Sequence, residues 1–310
     1  EKTTFNNLGL IVIDEQHKFG VQQRINLSLK GSVNTDVLLM TATPIPRTLI
    51  LTNYGDMDIS TINEKPFNNT TINTLAKPAE KMDDVMVFLK KRLDENDQVY
   101  WVTPLIEESE KLKLTPAVKR YEYLKKKLKV EVGLVHGAMK SEDKNKIMED
   151  FISGKIKVIV STTVIEVGID NQNANTMIIE NCERFGLSQL HQLRGRVGRG
   201  KLDAYCLLLY SKNIGINGKK RIQILKSSLD GFYISEEDLK LRGFGDIIGY
   251  KQSGEKDFII ADPAYHSDLF QLAKEEIENL ENKDVKLEEH FSQLLKIFKK
   301  DRVLNIIDTG

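Results

Sequence analysis

Residues 189–200 read QLHQLRGRVGRG, and what surrounds this stretch decides the fold. Before it stands TMIIEN (176–181) and after it AYCLLLYS (204–211), two strand-like apolar runs, with a helix expected from about Ser188 between them. Strand, helix, strand at that spacing is the repeating unit of a parallel sheet. Inside the stretch, Arg196 and Arg199 are three apart, which on a continuous helix puts them on one face. Two guanidinium forks so placed suit a chain of phosphates. An ordinary solvated basic helix would have to tolerate Gly195, Gly198 and Gly200, at about 1 kcal/mol each. Glycines here fit better where backbone approaches a ligand or another domain closely.

The alternation extends in both directions. Met82, Val85, Met86, Leu89 and Leu93 share a helical face ahead of strand QVYWVTPLI (98–106). Val118, Tyr121, Leu124 and Leu128 mark a second helix, ahead of VGLVHG (132–137). Ser141 is placed to cap a third helix that runs to Ser153, with Glu142 and Asp143 in its first turn and Gly154 as its stop. Strand VIVST (158–162) follows it. The sum is an α/β, doubly wound parallel-sheet domain over 71–212. Upstream, LGLIVID (8–14) is the continuous apolar run expected of a strand buried on both faces. VLLMTA (37–42) and DISTIN (58–63) read as two more strands. The polar EKPFNNTT (64–71) then separates a first domain, 1–70, from the second. Residues 213–310 are expected to be helical. Two short helices fall in 219–249, the second opening on a Ser235-Glu236-Glu237-Asp238 capping box. An amphipathic helix carries Leu269, Leu272, Ala273, Ile277 and Leu280, and another lies near 286–300.

Composition excludes several classes. Among 310 residues, 45 basic side chains balance 45 acidic ones, so any nucleic-acid contact must use local patches. The lysines at 125–129 read as a solvated helix face. No apolar run is long enough to span a bilayer and no secretory segment opens the chain. The two cysteines, Cys182 and Cys206, sit in apolar runs and read as buried thiols, as in a reducing cytoplasm. Five histidines show no ligand spacing, which speaks against a metalloenzyme. The chain opens on Glu1 rather than Met, a few residues before a strand, and is expected to be part of a longer protein.

The run IVIDEQH (11–17) ends an apolar strand on two acids. At the carboxyl edge of a parallel sheet, the first such acid holds Mg²⁺ and the second orients and deprotonates an attacking water. Asp14-Glu15-Gln16-His17 resembles the DEx(D/H) motif of superfamily 2 helicases, and Gln192 to Arg199 resembles their motif VI, Q-x-x-G-R-x-G-R. Thr41-Ala42-Thr43 resembles motif III, and Ser161-Thr162-Thr163 with Glu166 to Asp170 resembles motif V. His136-Gly137 falls where that family has a backbone-contacting turn. TATPIPRTL (41–49), GLVHGAMK (133–140), TTVIEVGID (162–170) and DGFYISEEDLKLRGFGDIIGYKQSG (230–254) narrow the resemblance to the bacterial RecG helicase family. Transcription-repair coupling factors share the motor.

The resemblance implies a truncated first RecA-like domain (1–70), a complete second RecA-like domain (71–212) and a helical region (213–310) with a translocation motif near 219–254. It implies ATP and Mg²⁺, with Asp14 as metal ligand through water, Glu15 as general base and Arg196 and Arg199 as arginine fingers. Gln192, Gly168 and Asp170 would contact the nucleotide. Gln16, His17, Thr41, Thr43, His136, Thr162, Thr163, Arg242 and Gln252 would contact DNA or couple it to hydrolysis. The implied protein is a monomeric translocase on branched double-stranded DNA, such as stalled forks and Holliday junctions, with single-stranded DNA-binding protein as a candidate partner. Phe244, Asn171-Gln172 and Lys18 depart from the family pattern, which has Pro, Val-Pro and Arg there, and EKPFNN lacks the family's usual arginine. No G-x-x-x-x-G-K-[ST] occurs, so these 310 residues are expected neither to bind ATP tightly nor to hydrolyse it alone. The competing readings are the translocase part of a coupling factor and a catalytically dead DNA- or partner-binding module.

Overall fold

A computed structural model describes residues 3–15, 27, 30–31, 35–42, 58–62, 71–104, 115–162, 171–200, 203–242 and 266–281. Its elements run β1 (Leu10–Ile13), β2 (Asp36–Leu39), β3 (Ile72–Pro78), α1 (Met82–Asp94), β4 (Gln98–Val102), α2 (Thr115–Lys127), β5 (Val132–Val135) and α3 (Ser141–Ile152). They continue as β6 (Val158–Ser161), β7 (Ala174–Ile179), a 3₁₀ turn (Cys182–Arg184), α4 (Leu187–Arg194), β8 (Ala204–Tyr210), α5 (Ile216–Ser227), α6 (Gly231–Arg242) and α7 (Ser267–Glu281). The chain divides into two compact units, Glu1–Pro44 with Glu64–Ser235, and Ile45–Asn63 with Glu236–Gly310, so that the division falls inside α6.

The main sheet of the first unit has six strands in the order β3-β8-β7-β4-β6-β5, every neighbouring pair parallel. The interior strands β4, β6 and β7 are buried along their whole length, which is why they read as unbroken apolar runs. Alternate residues of β4 serve opposite layers. Val99 and Trp101 pack with Val85 and Leu89 of α1 and with Ala117 and Leu124 of α2. Tyr100 turns the other way, onto Phe151 of α3, with ring centroids 5.0 Å apart. Helices on both faces and a chain that moves outward to β5 and then back across β4 make the sheet doubly wound. At the amino edge, Asn171 donates to Gln98 Oε1 (3.2 Å) and its own Oδ1 accepts from the amide of Asn173 (3.0 Å). The unusual Asn171 thus has both ends of its amide satisfied although it is buried.

Several local expectations change. LGLIVID is not buried on both faces: Ile11 and Ile13 are buried, but Leu10 and Val12 are half exposed. β1 pairs in parallel with β2 in a two-stranded sheet, so one face of the run is left open. Residues 58–62 of DISTIN form no strand, since no described segment pairs with them, and Ile59 and Ile62 are exposed. Ser141 does not cap α3: Lys140 occupies the cap without a side-chain hydrogen bond, and Ser141 is the first helical residue. Gly154 does stop that helix, at φ +81°. Ser235 lies inside α6, where its hydroxyl donates to Phe232 O (2.9 Å). The cap is Asp230, whose Oδ1 accepts from the amide of Phe232 (2.9 Å). In the second unit, α7 bears the expected stripe, with Leu269, Leu272 and Ile277 exposed. The helix expected near 286–300 lies outside the described residues. Among the described residues, no helix is long and apolar enough to cross a membrane.

Glu180, immediately after β7, accepts from the indole of Trp101 and from Arg120 Nε of α2. The Arg120 guanidinium lies 5.2 Å from the centres of both the Trp101 and Tyr123 rings. Removing one partner of such a nearly buried pair strands the other charge. Glu180→Gln is therefore expected to lower stability by about 2–3 kcal/mol, since the pair is not fully desolvated. Trp101 is the chain's single tryptophan, so its fluorescence during urea unfolding reports the loss. A change below about 1 kcal/mol would mean the pair behaves as a surface contact.

Candidate functional site

The strand-end acids sit where the two-stranded sheet stops. The amide of Met40 donates to Ile13 O (2.8 Å), and the register Ile13↔Leu39 places Thr41 opposite Glu15. Asp14, Glu15 and Thr41 therefore share one strand edge. The Glu15 amide donates to Asp14 Oδ1 (2.8 Å), and Glu15 itself takes φ +50°. For a residue with a Cβ chain this left-handed conformation is uncommon and strained, and such strain gathers at functional sites. No group of three or more His, Cys, Asp or Glu side chains among the described residues forms a metal cage. Mg²⁺ asks for less than a cage: one or two carboxylates with water and substrate phosphate. Asp14 fits that part, being exposed and oriented through Oδ1 by the Glu15 amide. Gln16, His17 and Thr43 lie outside the described residues.

A second set lies at the carboxyl edge of the six-stranded sheet, where α/β folds bind ligands. Val135 pairs with Ser161 at the ends of β5 and β6, so His136 and Thr162 emerge side by side. His136 Nδ1, Ser161 Oγ and Thr162 Oγ1 are buried with no hydrogen-bond partner among the described residues. Three neighbouring orphans of this kind mark a place where a polar ligand completes the bonding. Ser161 and Thr162 are essentially fully buried, and Ser161 O is already held by the Thr103 amide (2.8 Å). Thr163, Gly168 and Asp170 lie outside the described residues.

Burial, and secondarily the Lys144 ammonium, hold the His136 imidazole below its ordinary value of 6.5. Lys144 is kept nearby by donating to Gly137 O (3.0 Å). The folded state therefore binds this proton less readily than the unfolded chain, so its stability declines as pH falls below about 6.5. An NMR titration is expected to give His136 a midpoint below 6.5, and Lys144→Gln should raise it only part of the way, because burial is the larger cause. A midpoint at or above 6.5 in the folded protein would contradict this geometry.

The arginine-bearing stretch corrects the expectation it began with. α4 buries Leu187, Leu190 and Leu193 and ends at Arg194, with Gly195 as its C-cap. Arg196 and Arg199 are thus not two positions of one helix face but belong to the turn beyond it. The amides of Arg196 and Val197 bond back to Leu193 O (3.0 Å) and Arg194 O (3.3 Å), and Gly198 then takes φ +78°. The glycines stop the helix because they are poor helix residues and accept the left-handed conformation. Arg199 Nε donates to Gly195 O (3.3 Å), which curls the side chain over the turn. At Gly200 an added Cβ would stand 2.5 Å from Gln172 O, so nothing larger than glycine fits. Gln172 precedes β7, which puts the turn at the amino edge of the sheet. The topology therefore parts Arg196 and Arg199 from His136 and Thr162 by a strand length, on the order of 15–20 Å. Gln192 is half-buried on α4.

Arg242 ends α6 with its fork on Asp238, Nε to Oδ1 and Nη2 to Oδ2, both at 3.0 Å. Gln252 lies outside the described residues. One residue escaped the sequence reading altogether. Arg194 is 1% exposed and donates to Leu225 O (2.5 Å), Ser228 O (2.9 Å) and Thr74 Oγ1 (3.4 Å). Its signal was periodicity: Arg194 is seven residues after Leu187 and four after Leu190, in phase with the buried face. The thiols Cys182 and Cys206 are free and buried, and burial pushes both up to about 12, so neither is reactive.

Two protein-family models match the chain: the helicase conserved C-terminal domain over residues 80–201, and domain 3, C-terminal, of ATP-dependent DNA helicase RecG over residues 228–306. The RecG of Thermotoga maritima is 44% identical over 291 residues, covering 93% of this chain and 37% of that protein. The RecG of Streptococcus pneumoniae is 50% identical over 260 residues, covering 83% of this chain and 38% of that protein. The chain thus spans little more than a third of the curated relatives it matches. A solved RecG bound to a three-way DNA junction superposes with a TM-score of 0.64 at 41% identity, over 87% of this chain and 34% of that one. Saccharomyces cerevisiae Dbp5 bound to RNA and ADP BeF3, at 16% identity and a TM-score of 0.53 over 76% of this chain and 64% of that one, shares the fold alone.

Proposed function

Because the chain belongs to the RecG family of ATP-dependent DNA helicases, we propose that it supplies part of an ATP-driven motor that remodels branched double-stranded DNA. The observation that carries this reading is the arginine turn. Arg196 and Arg199 stand at the amino edge of their own sheet, away from the carboxyl edge where that sheet would hold a ligand of its own. Arginines so placed serve a phosphate chain held by another domain, as arginine fingers do. The strand-end acids sit on a different sheet, so the two halves of the chemistry are carried by separate bodies. Bound ATP with Mg²⁺ supplies the phosphoryl group that is transferred to water.

In this reading Asp14 contributes to holding the cation through water, and Glu15 orients the attacking water and takes its proton. Arg196 and Arg199 stabilise the charge that develops on the phosphate oxygens. Gln192, Gly168 and Asp170 contribute nucleotide contacts. The orphaned hydroxyl of Thr162 and the imidazole of His136 meet the DNA backbone, with Thr163 beside them. Gln16, His17, Thr41 and Thr43 link the acids to the DNA groove, and Arg242 and Gln252 belong to the translocation motif. The junction-bound relative supports branched DNA as the substrate.

The test compares two polypeptides. The full-length protein is expected to unwind a three-way junction with ATP and without RNA polymerase. The 310-residue chain, which has no Gly-rich phosphate loop, is expected to show no DNA-stimulated ATP hydrolysis. Hydrolysis by the short chain, or failure of the full-length protein to unwind the junction, would overturn the reading.

A further inference from the structure

Arg194 is a fully buried cation whose described partners are neutral: two backbone carbonyls, a hydroxyl and, at 3.1 Å from Nη2, the Nδ1 of His191. An apolar residue of similar volume would fill the space as well, and a buried charge is retained where it fixes one arrangement of several elements. Here the elements are α4, β3 and the end of α5. Leu225 and Ser228 belong to the last turn and the cap of α5, where carbonyls lack helical partners and the helix dipole favours a cation. The bonding continues past that point. The Asp230 amide donates to Ser228 Oγ (3.0 Å), and Asp230 Oδ1 in turn caps α6 through Phe232. An unbroken path thus joins the last residue of α4 to the first turn of α6, and it starts two residues before Arg196.

We propose that Arg194 is a positioning residue that makes the arginine turn and the α5–α6 junction move as one body, so that a shift of Arg196 and Arg199 on nucleotide turnover is delivered to α6. This rests on the motor function proposed above. A guanidinium suits the task because its fork spans two carbonyls that a lysine ammonium cannot hold together. Arg194 touches neither nucleotide nor DNA in this scheme, so its loss separates hydrolysis from movement.

The experiment uses the full-length protein with a three-way junction. Arg194→Met is expected to keep at least about half of the DNA-dependent ATPase while the ATP consumed per junction unwound rises about five- to tenfold. Arg194→Lys should lie between it and the wild type. A purely structural arginine would instead lower ATPase and unwinding in the same proportion, and that result, or no change in either, overturns the proposal. Hydrogen exchange on the unaltered protein decides the matter even if neither variant folds. Adding forked DNA and a non-hydrolysable ATP analogue is expected to change protection at 195–199 and at 225–230 together. A response at 195–199 without one at 225–230 overturns the link. No response at 195–199 removes the arginine-finger reading, and the proposal with it.

Discussion

Arg199→Ala in the full-length protein is expected to lower DNA-stimulated ATP turnover by about 10³–10⁵-fold, the loss seen when an arginine finger is withdrawn from a phosphoryl-transfer site. The size follows from the chemistry. Negative charge spreads over the phosphate oxygens in the transition state, and a guanidinium aimed there acts in a site from which water is excluded. Arg199 curls over its turn through Gly195 O, a single long bond that a bound phosphate chain would replace. Arg199→Lys should restore little, because an ammonium has no planar fork. The folded state should scarcely notice either change, since Arg199 is half-buried outside any helix or strand. Thermal unfolding within a few degrees of the wild type, together with turnover reduced less than about tenfold, would remove Arg199 from the chemistry.

Glu15→Gln is expected to lower hydrolysis by about 10²–10⁴-fold while nucleotide affinity stays within a few-fold. The substitution keeps the size of the side chain and removes only its ability to accept a proton. It also leaves undisturbed the amide of residue 15 that orients Asp14 Oδ1, because that bond is made by the backbone. Glutamine meets the φ of +50° with the same difficulty as glutamate, so a loss of rate cannot come from relaxed strain. Single-turnover hydrolysis and nucleotide binding, measured on the same preparation, separate the two effects. Turnover within a few-fold of wild type would assign the base elsewhere.

Much of the fold was legible because its signals are local. QVYWV and TMII are unbroken apolar runs, and each lies between neighbours on a sheet covered on both faces. The same pattern misled at LGLIVID, where one face of the strand is open. An apolar run records only what a strand is able to bury. Caps were less legible, because Ser141 and Ser235 are good capping residues displaced by one and by several residues from the ends they were assigned to. Helix ends are settled by where the whole element docks.

The site divides along the same line. The sequence by itself determined which chemistry is present: the acids Asp14 and Glu15, the hydroxyl of Thr162 and the arginines 196 and 199, because motif spacing survives in one dimension. Only the tertiary structure decided where they stand. It put His136 and Thr162 at the carboxyl edge and the arginines at the amino edge, since a parallel strand followed by a returning helix necessarily delivers the chain to the opposite edge. It also buried Arg194, whose acceptors Thr74, Leu225 and Ser228 lie 120, 31 and 34 residues away. Contacts at such separations leave no spacing to read.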